Sequence, residues 1–247
     1  MNKNKTIIIT GAGSGIGKST AEYFLKNNYC VALLGRNKKK LEQASNLSKN
    51  ALVIPCDISN FESVEDAFDR VFSEWGYINV LFNNAGIGTH SKTIDEISIS
   101  EWKEVVDINL SGSFYCARSA FKIMKNQTPQ GGRIINNGSI SAHVPRPGSS
   151  PYTSTKHAIT GLTKSISLDG RPFNIVSCQI DIGNAATEMT KKMSVGVPQA
   201  NGSIKAEPTM EVTNVSKSIF YMAELPLNAN VQFMTVMASS MPYIGRG

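Results

Sequence analysis

The chain has 247 residues, 41% hydrophobic and 18% charged, enough to bury one large core or two small ones. Its formal net charge is +6, and one short run, Arg36, Lys38, Lys39 and Lys40, supplies most of it, which argues against a nucleic-acid-binding protein. Four widely spaced cysteines, and three histidines without zinc-like spacing, argue against a structural metal or a disulfide framework.

The opening MNKNKTIIIT carries basic residues, but only Ile7, Ile8 and Ile9 follow before a glycine-rich turn. That reads as a strand and not as a signal segment. No apolar run approaches the roughly 20 residues that cross a bilayer, so a soluble, cytoplasmic protein is expected. Valine- and isoleucine-rich runs recur at 6–10, 31–34, 51–55, 78–82, 133–136 and 174–180, with a last one at 231–237. Continuous apolarity predicts strands buried on both faces. Between them lie helical spacings: Ala21, Phe24, Leu25; Leu41, Ala44, Leu47; and Val64, Ala67, Phe68, Val71, Phe72. This alternation predicts an α/β fold, a parallel sheet of about seven strands wrapped by helices. Nothing divides the chain, so a single domain over 1–247 is expected. The loosest stretch, KKMSVGVPQANGSIKAEP at 191–208, reads as a lid or binding loop.

The first strand runs into TGAGSGIGKST. Gly11, Gly15 and Gly17, with Ser14 and Ile16 between them, form a candidate phosphate cradle, where absent side chains let backbone N–H groups approach a pyrophosphate. The frame of a Walker loop is not met. At the end of the second strand a dinucleotide site usually carries an acid for the ribose hydroxyls. Here Gly35 and Arg36 stand there, and a guanidinium engages a 2′-phosphate where an acid would repel it, so NADP(H) is expected over NAD(H). Asp57, followed by Ile58 after the third strand, is placed to accept a hydrogen bond from the adenine amino group.

The most specific stretch is SISAHVPRPGSSPYTSTKHAITGL, with Ser139, then Tyr152 and Lys156 at i and i+4. On a helix that spacing puts phenol and ammonium on one face. A free tyrosine titrates near about 10. An ammonium about 4 Å away at an effective dielectric of about 20 lowers that by up to roughly three units, into the range useful for proton transfer.

These motifs together resemble the short-chain dehydrogenase/reductase family, and the likeness covers nearly the whole chain. TGxxxGxG appears as Thr10 to Gly17, NNAG as Asn83 to Gly86, the active-site asparagine as Asn109, the serine as Ser139 and YxxxK as Tyr152 and Lys156. The resemblance implies a Rossmann-type doubly wound sheet and a hydride transfer between NADP(H) and a carbonyl or secondary alcohol. It assigns Tyr152 as general acid/base, Ser139 to the substrate oxygen, Lys156 to the tyrosine and the nicotinamide ribose, and Asn109 to a water in the proton relay. Asn84, Ala85, Gly86, Ile182, Gly183 and Thr187 would contact the cofactor.

Three departures stand out: Gly138 precedes Ser139 where the family often has a second serine, IDIG replaces a Pro-Gly turn after the sixth strand, and VMASSMPYIGRG lacks the C-terminal glycine pair. The substrate walls are expected from 89–97, 140–149 and the 188–210 loop, with Met189, Met193 and Met210 as an apolar lid and Arg146 or His143 meeting a carboxylate. A 3-hydroxy acid or 3-oxoacyl substrate is one alternative, and a dinucleotide-binding redox sensor without turnover is another. The resemblance also implies a homotetramer or homodimer, built through the helices that carry Asn109 and Tyr152.

Overall fold

The computed structural model describes residues 4–89 and 91–244; His90, in the expected substrate wall, and residues 1–3 and 245–247 lie outside the described residues. Strand β1 (Thr6–Thr10) leads into α1 (Gly15–Lys26), then β2 (Cys30–Gly35), α2 (Lys38–Ser45), β3 (Ala51–Pro55), α3 (Phe61–Trp75) and β4 (Val80–Asn83). The chain continues through α4 (Ile99–Val106), a π-helical segment (Asp107–Ser111), α5 (Gly112–Asn126), β5 (Gly132–Asn137), α6 (Ser150–Asp169) and β6 (Ile175–Gly183). A short α7 (Lys191–Val195), strands β7 (Val197–Pro198) and β8 (Ile204–Lys205), α8 (Val212–Glu224) and β9 (Phe233–Met237) follow.

Seven strands form one parallel sheet in the order β3-β2-β1-β4-β5-β6-β9. The two-residue period of a strand sends alternate side chains to opposite faces. Ile7 and Ile9 therefore join a core with Phe24 of α1 and Ile219 of α8, while Ile8 joins another with Phe68 of α3 and Ala120 of α5. Burial on both faces, expected of every strand, fails at β3 and β9. Each is an edge with one neighbour, so the helical layers cover it incompletely. Strand order reverses between β1 and β4, and connections diverging from such a point leave a crevice beyond the carboxyl ends of the strands.

The stretch at 191–208 is more ordered than its composition indicates, since it holds α7 and the antiparallel β7–β8 pair. Among the described residues no helix is long and apolar enough to cross a membrane.

Candidate active site

A cavity of about 430 Å³ occupies the crevice. Its wall gathers Gly11, Ser14, Gly15 and Ile16 from the glycine turn, Arg36, Asp57 and Ile58 from the ends of β2 and β3, and Asn84, Ala85 and Gly86 after β4. Tyr152, Lys156, Ile182 and Thr187 close it. Four expected residues lie off the wall. A Cβ on Gly17 would stand 2.3 Å from the Gly11 carbonyl oxygen, so this glycine lets α1 press against the turn. Gly183 faces Met237 and Met241 instead of the cavity, and Asn184 and Ala185 take its place on the wall. Asn109 and Ser139 are buried and do not line it, but Ser139 reaches the wall through its hydrogen bond with Tyr152.

The cradle is set by backbone. Gly11 has φ +65°, a left-handed conformation that favours glycine. The Thr10 hydroxyl oxygen accepts from the N–H groups of Asn84 and Ala85, both at 2.9 Å, and Asn84 Nδ2 donates back to the Thr10 carbonyl at 2.8 Å. These bonds tie β1 to β4 across the switch point. No acidic residue sits in the first turn of α1, and the Ser14 side chain does not cap it. The first N–H groups of a helix have no intrahelical acceptor, which suits this end to an anion.

At the far end Arg36 is exposed, and Asn37 caps α2 by accepting from the Lys40 N–H at 3.1 Å. Lys40 also lines the cavity, which sequence reading missed by assigning a task only to Arg36. The Asp57 carboxyl is held below its ordinary range, first by its hydrogen bond from Ser59 and further by Arg36.

The π-helical segment places Asn109, and such wide turns recur at functional sites. Asn109 Oδ1 accepts from the Ile87 N–H at 2.8 Å and Nδ2 donates to the Ile87 carbonyl at 2.9 Å, so the amide clamps the segment after β4. Tyr152 and Lys156 share one face of α6, as their spacing predicts, with Lys156 Nζ 5.5 Å from the phenol ring centroid. Here the electrostatic expectation needs correction. Burial pushes the Tyr152 phenol above its ordinary value, opposed by a hydrogen bond from Ser139 and by Arg146. The ammonium also donates to the Asn137 carbonyl at 2.7 Å. Burial also lowers Lys156 itself to about 8, which Asp181 opposes.

In the substrate half, Arg146 pairs with the buried Glu207 and donates to Asn184 Oδ1 at 3.1 Å. Glu207 also accepts from Asn184 Nδ2 at 2.8 Å and Gln199 Nε2 at 3.0 Å. His143 Nε2 is 2.9 Å from Asp181 Oδ2. Both basic residues expected to meet a substrate carboxylate are thus engaged by carboxylates of the protein. Of the three methionines, Met189 lines the cavity, Met193 accepts from Arg146 through its sulfur, and Met210 packs into the core. Asp181 and Glu207 escaped sequence reading because nothing nearby in the chain announces their partners.

A family model described as short chain dehydrogenase matches residues 5–197. A 3beta-hydroxysteroid dehydrogenase of Mediterraneibacter gnavus is 31% identical over 210 residues, 82% of this chain and 74% of that protein. In fold, the chain resembles a 3-ketoacyl-(acyl-carrier-protein) reductase from Brucella melitensis complexed with NADH, with TM-score 0.84, 24% identity, and 96% and 98% of the two chains covered. The structure of ElxO with NADP bound is similar at TM-score 0.82 and 25% identity, covering 95% of this chain and 98% of that one.

Proposed function

This chain belongs to the short-chain dehydrogenase family, and we propose that it is an NADP(H)-dependent oxidoreductase interconverting a carbonyl and a secondary alcohol, with Tyr152 as general acid/base. The observation that carries this reading is one cavity whose wall holds the glycine cradle, Arg36 at one end, and Tyr152 and Lys156. A nicotinamide dinucleotide fits that wall: glycines 11, 13 and 15 and the start of α1 suit a pyrophosphate, and Arg36 with Lys40 suits a 2′-phosphate. ElxO was solved with NADP, but the preference here rests on Arg36 standing where an acid would select NAD(H). Asp57 and Ile58 flank the adenine end, and Asn84, Ala85 and Gly86 the middle. Ile182 and Thr187 meet the nicotinamide end.

When bound, the dinucleotide supplies or accepts the hydride. The protein's part is to hold the substrate oxygen and move its proton. Tyr152, kept protonated by burial at neutral pH, donates to that oxygen during reduction, and Ser139 hydrogen-bonds the same oxygen. Lys156 balances the phenolate left behind and holds the nicotinamide ribose, while Asn109 fixes the segment that bounds the relay. Oxidation requires the phenol to lose its proton first, so its rate rises with pH while reduction is favoured near neutrality. Arg146 and His143 already face protein carboxylates, which favours a neutral carbonyl over a carboxylate-bearing one. A redox sensor without turnover would have no use for a half-buried tyrosine beside a buried lysine on the cavity wall.

The expected homodimer or homotetramer is consistent with Trp102 of α4, Phe114 of α5 and Leu168 of α6 remaining exposed; sedimentation reads it, and a monomer at micromolar concentration contradicts it. The test of function uses NADPH with a 3-oxosteroid, a 3-oxoacyl thioester and ethyl acetoacetate. At least one is reduced, and Tyr152→Phe lowers that rate about a thousandfold with NADPH affinity unchanged within about twofold. Undiminished turnover by Tyr152→Phe removes the acid/base assignment.

A further inference from the structure

Two of the departures from the family pattern meet in space. Gly138 precedes Ser139, and Asp181 stands in the altered IDIG end, which the structure keeps within β6; a Cβ on Gly138 would stand 2.0 Å from Asp181 Oδ1. The carboxylate, with the Gln179 amide that it holds and that would stand 2.6 Å from the same Cβ, therefore fills the room that a side chain at 138 would need. Asp181 is 1% exposed. Its Oδ1 accepts from the Ser139 N–H at 2.9 Å and from Gln179 Nε2 at 2.7 Å. Its Oδ2 faces His143 Nε2 at 2.9 Å, and since a carboxylate only accepts, the imidazole donates there.

A buried carboxylate is costly unless it is paired and hydrogen-bonded, so a site that retains one spends stability on it. The ionisable groups around it are His143, from the turn after β5, and Tyr152 and Lys156 from α6. Arg146 acts on the same phenol. Strand β5 brings Asn136 and Asn137 beside β6, and β9 brings Thr235 opposite Asp181, all uncharged. The negative charge thus stands behind the candidate catalytic serine, among groups that exchange or balance a proton.

We propose that Asp181 is a positioning residue for the reaction, a buried carboxylate that locks Ser139 by its N–H, orients His143 and sets a negative charge behind the candidate catalytic serine. The space at Gly138 and the acid at 181 are one device. This inference rests on the function proposed above. Asp181 raises both Tyr152 and Lys156 toward their protonated forms, so removing its charge moves both in the same direction, toward acid.

The test uses the full chain, with NADPH and ethyl acetoacetate as probe. Asp181→Asn keeps the shape and loses the charge. It is expected to lower kcat at least tenfold, leave NADPH affinity within twofold of the parent, and move the alkaline limb of the reduction profile down by about one pH unit. Tyrosinate absorbance, compared between each protein and its Tyr152→Phe counterpart, reads the same shift on the phenol without any substrate. Gly138→Ser is expected to abolish turnover, and Gly138→Ser combined with Asp181→Ser to regain at least tenfold over it, because the two positions share one space. An unshifted profile and phenol in Asp181→Asn, whatever its rate, overturns the charge role. A double variant no better than Gly138→Ser overturns the shared device, and this arm decides if Asp181→Asn does not fold. Tyr152→Phe separates the two readings. If it retains turnover, the proposed function falls; if it is inactive while Asp181→Asn matches the parent, only the present inference falls.

Discussion

The nucleotide half of the cavity and its substrate half are held by different means. Around the phosphate cradle the walls are mostly main chain, a left-handed Gly11 with Gly17 pressed against it, and the Thr10 hydroxyl and Asn84 amide tie two strand ends together. Around the substrate the walls are side chains borrowed from distant segments, with Arg146 on one loop gripping Glu207 on another. A backbone wall is rigid and accepts any ligand with the right phosphates. A side-chain wall is selective, and it yields when one partner is removed.

That contrast is sharpest at Arg36, where a side chain, with Lys40 beside it on the wall, gives the nucleotide half a choice. Arg36→Ala is expected to weaken NADPH binding by about 10–100-fold, the loss of charge-assisted hydrogen bonds to a phosphate, with NADH affinity unchanged. Fluorescence titration of both cofactors checks it; equal losses for the two would place Arg36 outside 2′-phosphate recognition. The complementary perturbation is Glu207→Gln, which leaves Arg146 beside a neutral amide. Removing one charge of a buried pair exposes the other to its desolvation cost. Proteolytic nicking within 191–208 is expected to rise about tenfold, because opening governs cleavage, and KM for the carbonyl to rise severalfold, with cofactor affinity unchanged. Loss of cofactor binding instead would show that the two halves are not separable.

The smallest effect concerns Lys156, which belongs to both halves. Its folded-state value near 8 lies below the ordinary 10.5, so the fold disfavours the ammonium. Below about 8 that penalty is present in full, and it is relieved as pH rises through 8 toward 10.5. Lys156→Met is therefore expected to melt about 3 °C higher than the parent at neutral pH, with the gap narrowing across that window, while turnover is lost. A variant that melts lower at neutral pH would show that the bond to Asn137 outweighs the desolvation.

The same contrast explains what the sequence discloses. Glycines needed for a close backbone approach are irreplaceable at fixed spacing, so Gly11, Gly15 and Gly17 are legible, as are Tyr152 and Lys156, one helical turn apart. The seven strands are legible too, because a parallel sheet buried by helices demands continuous apolar runs, and only the edges β3 and β9 depart from it. Arg146 and Glu207 lie 61 positions apart and His143 and Asp181 lie 38 apart. A pairing of that kind follows no local period, so both bases read as available to a substrate when they are already engaged. Lysine spacing likewise could not show the bond from Lys156 to the Asn137 carbonyl, because four residues fix the face of a helix but not where a long side chain ends.

The central claim is hydride transfer to a carbonyl carbon coupled to proton transfer from Tyr152. It is tested most directly with NADPH carrying deuterium at nicotinamide C4 and whichever probe carbonyl is reduced, followed by mass spectrometry of the alcohol. The account predicts one deuterium on the carbinol carbon from the labelled face of the nicotinamide, and almost no product from Tyr152→Phe. An alcohol formed without deuterium from either face, or formed equally well by Tyr152→Phe, would contradict it.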